Sequence, residues 1–388
     1  MSTSFDHKSY DAIIIGARCA GAASAMLMAR NGARVLMVDR DAELTDTMST
    51  HALTRPAVKL LQLWGLLDPI IAAGTPVARL MQFTYGTDRI DVPIEADGAI
   101  EGLYAPRRQL LDGLLQDAAM DAGVEFHRAT RFESVIRDLT GRVIGARLRT
   151  ADGTLHHVTA RMVIGADGRC SAVADAVKAR TLLQSQDRAG VLYTYVTGLP
   201  NTGMRWFYGD RVFAGLIPTN GDAHCFFVAM APTALAAASG QDGFAVMTDM
   251  LAQWDPDTAA TLADRGPAEK LRRFAGAPAH LRDSAGPGWA LVGDAGYYKD
   301  PATAHGITDA FLDAARLANA LKYTPSEARV FQAERNQTAP AFFELTQKIA
   351  ALDWDLDTIQ RLHLELSHKL KDERLSLSDG RLPDALAA

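Results

Sequence analysis

One stretch near the start of the chain, DAIIIGARCAGAASAMLMARNGARVLMVDRD from Asp11 to Asp41, restricts the fold more than any other. Ala12 to Ile15 is a β-branched run suited to a buried parallel strand. Gly16 permits a sharp turn, and Gly21 permits the next element to pack closely on the strand. Ala22 to Ala33 reads as a helix of small residues, Leu and Met, closing at Asn31-Gly32. RVLMVD is a second strand, ending at Asp39, whose carboxylate can accept hydrogen bonds from a ribose. Strand, turn, helix, strand and acidic end in this order are the pattern of a dinucleotide site. Gly16, Ala17, Cys19, Ala20, Gly21, Asp39 and Arg40 are its expected residues. Arg18 stands where the middle glycine of G-x-G-x-x-G normally sits. It is compatible with the turn if its φ is negative and its side chain leaves the pyrophosphate, reaching toward the far end of the dinucleotide or the substrate entrance.

The chain has 388 residues, 48% of them hydrophobic, ample for a large core with intimate subdomains. A net charge of −6 without a basic tract argues against nucleic acid and anionic membranes as partners. Cys19, Cys170 and Cys225 are far apart and have neither metal-ligand nor redox spacing, so no metal is expected. Asp6, His7 and Lys8 precede only a short apolar strand, unlike a signal peptide, and no charge-free run reaches the ~18 residues of a membrane span. A soluble, reducing, cytoplasmic setting is expected.

Two later segments extend the pattern. In RMVIGADGRCSAVADAV, Met162 to Ile164 reads as a strand, Ala166-Asp167-Gly168 as a turn and Ser171 onward as a short helix. In WALVGDAGYYKDPATAHGITDAFLDAARLANAL, Ala290 to Val292 is a buried strand ended by Gly293-Asp294, Pro301 and Gly306 tighten a loop, and Ile307 to Leu321 is a helix. That helix start carries positive partial charge and free N–H groups. The three segments, in this order and spacing, resemble the flavoprotein monooxygenase superfamily with the para-hydroxybenzoate hydroxylase fold. The resemblance covers roughly residues 10–330, and GARCAG with a DTMSTH-like sequence resembles one branch of it. It implies FAD, with the ADP part on the first turn and the ribityl-phosphate part at Gly293 and Asp294. It also implies roles toward FAD for Asp167, for Arg108 in APRRQLLD, for Ser49 and Thr50, and for Pro301, Gly306, Ile307 and Thr308. His51 would lie near the flavin. Tyr297, Ala304 and Thr308 depart from the family's histidine, glycine and asparagine, and Ala174 replaces a closing arginine, which weakens an inferred nicotinamide role for the Asp-Gly segment.

Residues 79–104 alternate enough to be strands, and 110–128 form a helix leading into a strand-turn-strand where Phe132 is a candidate neighbour of the adenine. A second sheet is expected from GVLYTYVTGL, MRWFYGDRVFAGLIPT and DAHCFFVAMA. Period-2 counting puts Tyr193 with Tyr195, Trp206 with Tyr208, and His224 with Phe226. An aromatic face of this sheet is the expected roof over a flat substrate. After Arg335 a helical tail either covers the pocket or packs on a second subunit of a homodimer, with 374–388 frayed. The expected architecture is α/β: a Rossmann-like FAD-binding domain from 1–78, 105–182 and 287–330, a mainly antiparallel-sheet substrate domain from 79–104 and 183–286, and a helical C-terminal segment from 331–388.

The function this implies is an FAD-dependent monooxygenase. NAD(P)H would reduce the flavin, and O2 would act through a flavin hydroperoxide on a small, aromatic or otherwise electron-rich substrate. His51 is the one candidate acid or base. The alternatives are a reductase similar to the geranylgeranyl reductases and a flavin-binding redox sensor without turnover. A halogenase is disfavoured because W-x-W-x-I-P is absent, although AGLIPT is present.

Overall fold

The structure, a computed structural model, describes residues 9–47, 49–322 and 328–378. Asp6, His7 and Lys8, the Met48 of DTMSTH and the last ten positions of the tail expected to fray lie outside them.

An eight-stranded sheet runs in the order Ala285–Gly286, Trp289–Leu291, Leu155–Gly165, Ser9–Ile15, Val35–Val38, Glu125–His127, with Arg131–Arg137 and Val143–Arg149 attached as an antiparallel hairpin. Five of its strands are parallel, and both of its faces are covered. One face carries Ala12, Ile14, Met37 and Ile164 against the Cys19–Arg30 and Gly306–Leu321 helices. The other carries Ile13, Ile15, Leu36, Val38 and Leu291 against Val173, Val177 and the hairpin. Burial on both sides is why these strands read as unbroken apolar runs. Phe132 belongs to this second cluster, so the candidate adenine neighbour is a core side chain of the hairpin.

The second sheet has seven strands in the order Arg272–Phe274, Gly190–Thr197, Ala223–Met230, Val212–Thr219, Met204–Gly209, Leu80–Tyr85, Asp88–Pro93. Its register aligns Tyr193, Phe227, Gly215, Trp206 and Phe83 in one row across five strands. A second row holds Tyr195, Cys225 and Ile217. These residues, with Tyr208 and Phe213, face the main core. Gly215 is the gap in the first row: a Cβ there would lie 2.4 Å from the Phe227 ring, which occupies its place.

The opposite face carries Leu192, Val196, Phe207, Leu216 and Phe226 under the Gly243–Leu251 and Pro256–Arg265 helices. Phe226 meets Phe244 edge-on at 6.4 Å. His224 has the same parity as Phe226 and lies beside Arg205; burial pushes its pKa down to about 4. The expectation that His224 and Phe226 help roof a substrate is therefore corrected: the pair shares a face, but the outer one, sealed by helices. Tyr193, Tyr195, Trp206 and Tyr208 share the inner face.

Two long helices, Ala328–Ala350 and Leu356–Ser378, close the chain. Trp354 and His363 pack against Tyr208, with ring centroids 6.3 and 4.5 Å away, and His363 Nδ1 shares a 2.7 Å hydrogen bond with the Tyr85 hydroxyl. One end of the inner aromatic face is thus covered by the C-terminal segment.

Candidate functional site

The first turn is built by steric necessity. Gly16 has φ +100°, and a Cβ on it would sit 2.4 Å from the Ala166 carbonyl oxygen. A Cβ on Gly21 would sit 1.8 Å from the Gly16 carbonyl oxygen. Strand, turn and helix therefore touch backbone to backbone. Arg18, with φ −88°, is the N-cap of the Cys19–Arg30 helix and makes no side-chain capping bond. That leaves the helix N-terminus ready for an anion. Asp39 accepts from the backbone N–H of Ala17 at 2.8 Å and of Asp41 at 2.9 Å, so one carboxylate ties the turn to the end of the second strand. Arg40 stays exposed, 3.9 Å from Asp41.

Arg18 has the negative φ expected of it. Its guanidinium turns to the Thr45 carbonyl at 3.2 Å and to Asp41 and Asp112, each at 3.4 Å. Asp112 is fully buried and also receives the Cys19 thiol at 3.1 Å and Arg108 at 2.9 and 3.0 Å. Asp112 was not foreseen; its signal is its place one helical turn after Arg108. Arg108 Nε is buried with no protein partner.

At the other end, Gly293 has φ +57° and donates its N–H to Asp313 at 3.0 Å. Burial, then the charge of Asp309, pushes the Asp294 carboxyl up to about 6, against the pull of Arg108. Pro301 opens a short 3-10 turn, Ala304 takes the left-handed conformation at φ +51°, and the Gly306–Leu321 helix begins with no side-chain cap. Ile307 is half-buried at its start, and Thr308 bonds Thr54 at 2.7 Å. A Cβ built on Gly306 meets nothing within 4 Å. The two uncapped helices converge on Gly293, since a Cβ there would lie 2.8 Å from that of Ala20 and 3.6 Å from that of Ala310. Asp167 is tied to Ser171 Oγ at 2.5 Å and the Val173 N–H at 3.2 Å, at the start of the Ala172–Val177 helix.

Between these ends and the second sheet lies the loop Ser49, Thr50, His51. Ser49 Oγ accepts from the His51 N–H at 3.0 Å, and the Cys225 thiol lies 3.9 Å from the Ser49 carbonyl. His51 is fully buried, has φ +62°, and bonds the Tyr195 hydroxyl through Nε2. Burial drives its pKa down to about 3; Asp46 opposes this, and Arg108, Arg107 and Arg272 add to it. The adjacent arginines part company here. Arg108 points to Asp112, while Arg107 lies 3.6 Å above the centre of the Tyr195 ring, held by Asp46 at 2.7 Å and Glu269 at 2.8 Å. Sequence reasoning missed Arg107, Asp46 and Glu269, although two consecutive arginines at a helix start must diverge.

Residues 9–333 match the family described as FAD binding domain. The chain belongs to this family. Among curated relatives, it is 28% identical over 165 residues to digeranylgeranylglycerophospholipid reductase 2 of Methanopyrus kandleri. That match spans 41% of this chain and only 37% of the relative. The digeranylgeranylglycerophospholipid reductase of Methanosarcina mazei is 25% identical over 95% of this chain and 91% of its own. Among solved structures, PqsL, a probable FAD-dependent monooxygenase from Pseudomonas aeruginosa, matches with a TM-score of 0.80 at 20% identity, over 92% of this chain and 100% of its own. The flavin-dependent brominase Bmp2, in a triple-mutant form, matches with a TM-score of 0.78 at 19% identity, over 93% of this chain and 94% of its own. At these identities the structures show a shared fold.

The residues present fit the family's cofactor. Two uncapped helix N-termini supply N–H donors, Arg108 offers an unpartnered Nε, and the open space at Gly306 leaves room along the second helix. Near that helix, Lys299 pairs with Asp309, and His305 bonds Asp309 at 3.0 Å and Glu373 at 2.9 Å. Burial depresses the His305 pKa, but Glu373 and Asp309 outweigh it and raise it to about 9. The start of the Gly306–Leu321 helix is thereby ionically joined to the C-terminal segment. Among the described residues no helix is long and apolar enough to cross a membrane.

Proposed function

We propose that this chain is an FAD-dependent monooxygenase that uses NAD(P)H and O2 to oxygenate a small, flat, electron-rich substrate. One observation carries the reading: the inner aromatic face ends in polar atoms without protein partners, Tyr193 Oη and Trp206 Nε1, both buried. Leaving such atoms unsatisfied costs about 1–3 kcal/mol each, which a bound ligand relieves. Bound FAD supplies hydride acceptance and O2 activation. The first turn, Arg108 and the Gly306–Leu321 helix start hold it. Tyr193, Tyr195 and Trp206 orient a planar substrate on the sheet, while Trp354 and His363 close one end against water. In this reading His51, bonded to Tyr195, contacts both cofactor and substrate.

A reductase is the second reading, favoured by the Methanosarcina relative that spans nearly the whole chain. The deciding measurement follows NAD(P)H oxidation and O2 uptake with a panel of phenols and aminoaromatics. Substrate-stimulated O2 uptake matched by hydroxylated product supports the proposal. Anaerobic reduction of an isoprenoid double bond, with no product-coupled O2 uptake, replaces it with the second reading.

A further inference from the structure

Among the described residues, no other histidine combines the four features of His51: complete burial, a left-handed backbone, a bonded Nε2 and a buried Nδ1 with no protein partner. The left-handed conformation costs a non-glycine residue roughly 1–2 kcal/mol, so the loop holds this side chain against a local preference.

The direction of the His51–Tyr195 bond follows from the inventory of partners. The phenol has one proton, and the bond its oxygen makes in the structure is to His51 Nε2. If Nε2 carried the proton instead, the phenol O–H would be left without an acceptor in a buried setting, which costs about 1–3 kcal/mol. The guanidinium of Arg107, 3.6 Å above the ring centre, draws electron density from the phenol and strengthens it as a donor. Arg107 cannot drift away, because Asp46 and Glu269 both bind it. The rings of His51 and Tyr195 lie within 11° of parallel, with centroids 5.7 Å apart, so the two side chains are held in a fixed mutual orientation. A neutral imidazole that accepts at Nε2 carries its proton at Nδ1. The charged groups around it are Asp46 against Arg107, Arg108 and Arg272, a balance that opposes an imidazolium.

We propose that Tyr195 and Arg107 are positioning residues that fix His51 as a neutral Nδ1–H donor, and that this donor recognises an oxygen acceptor, a carbonyl or phenolate oxygen, on the substrate. The proposal rests on the reading of the inner aromatic face as the substrate wall. Trp206 Nε1 is also a donor only, and it is likewise buried without a partner. The wall therefore asks for acceptors, and a bare hydrocarbon leaves both groups unsatisfied.

The test uses the full chain loaded with FAD and labelled with ¹⁵N at histidine. In the wild type, His51 should remain the neutral Nδ1–H tautomer across about pH 5 to 8, where ordinary histidines titrate. Tyr195→Phe should shift it toward Nε2–H, and Arg107→Gln should give an intermediate population. Binding of 4-nitrophenolate and of 4-nitrotoluene is then compared through the flavin absorbance. The phenolate should bind about tenfold or more tightly in the wild type, as for a hydrogen bond to a charged group. Tyr195→Phe should remove most of that preference. A wild-type His51 that is Nε2–H or protonated overturns the proposal, as does equal affinity for the two probes or binding of neither. The tautomer is read without turnover, so absent O2 chemistry would sink the monooxygenase reading alone.

Discussion

Gly306→Ala separates what the fold needs from what the cofactor needs. Gly306 opens the Gly306–Leu321 helix, and an added Cβ meets no protein atom within 4 Å. In the cofactor-free protein the change should be neutral or stabilising, by up to about 1 kcal/mol, because alanine is the better helix former. With FAD the sign reverses. If the flavin lies on this helix start, the methyl group enters the space it uses. Crowding a well-packed site by one carbon costs about 1–3 kcal/mol, or roughly 5- to 150-fold in affinity. The assay pairs the melting temperature of the stripped protein with a titration of FAD followed by quenching of flavin fluorescence. An unchanged or higher melting temperature with weakened FAD binding is the expected result. Affinity within about twofold of wild type would show that the flavin does not rest there, and the cofactor placement proposed here would fall.

Gly21→Ala should do the opposite: its Cβ would meet the Gly16 carbonyl at 1.8 Å, so the stripped protein itself should lose about 3 kcal/mol or more, read by urea unfolding, and a change under about 1 kcal/mol would refute the close packing. Arg18→Ala should leave FAD affinity within about 0.5 kcal/mol, because Arg108 still holds Asp112; a variant that purifies without flavin would contradict this. His305, with a folded pKa raised to about 9, contributes stability that is complete below its ordinary value near 6.5 and is lost as pH rises through about 9. Hydrogen-exchange protection in the Leu356–Ser378 helix, corrected for the intrinsic rate at each pH, should fall over that window in wild type and stay flat in His305→Gln, and identical profiles would sink the assignment.

The strand-turn-helix segments were legible because their signals are local: apolar runs of strand length, glycines where backbones touch, and a helix-period stripe. The side of the second sheet that each aromatic pair occupies was not. Parity joins His224 to Phe226, but which face meets the core depends on strand order and on the Gly243–Leu251 and Pro256–Arg265 helices, set by contacts far apart in sequence. The Arg107–Tyr195–His51 arrangement was hidden for the same reason, since it joins a helix entry, a sheet strand and a strained loop. Asp39 shows a subtler limit. Its position at the strand end was readable, but its bonds to Ala17 and Asp41 give it a structural duty within the turn itself.

The strand pairings also dictate an order of events during synthesis. Ile14 lies beside Ile164, and Ile164 beside Ala290, so the central sheet waits for three segments spread over most of the chain. While the ribosome is making the second-sheet strands from Gly190 to Phe274, Leu155–Gly165 has one parallel neighbour, Ser9–Ile15, and lacks the other, Trp289–Leu291. Pairings this distant form slowly and leave apolar edges open to other nascent chains. His363 and Glu373, which close the aromatic face and the ionic cluster, emerge later still. Truncation before the last helix should therefore yield a protein whose nucleotide sheet is complete but whose aromatic wall is open to solvent, a ready customer for chaperones.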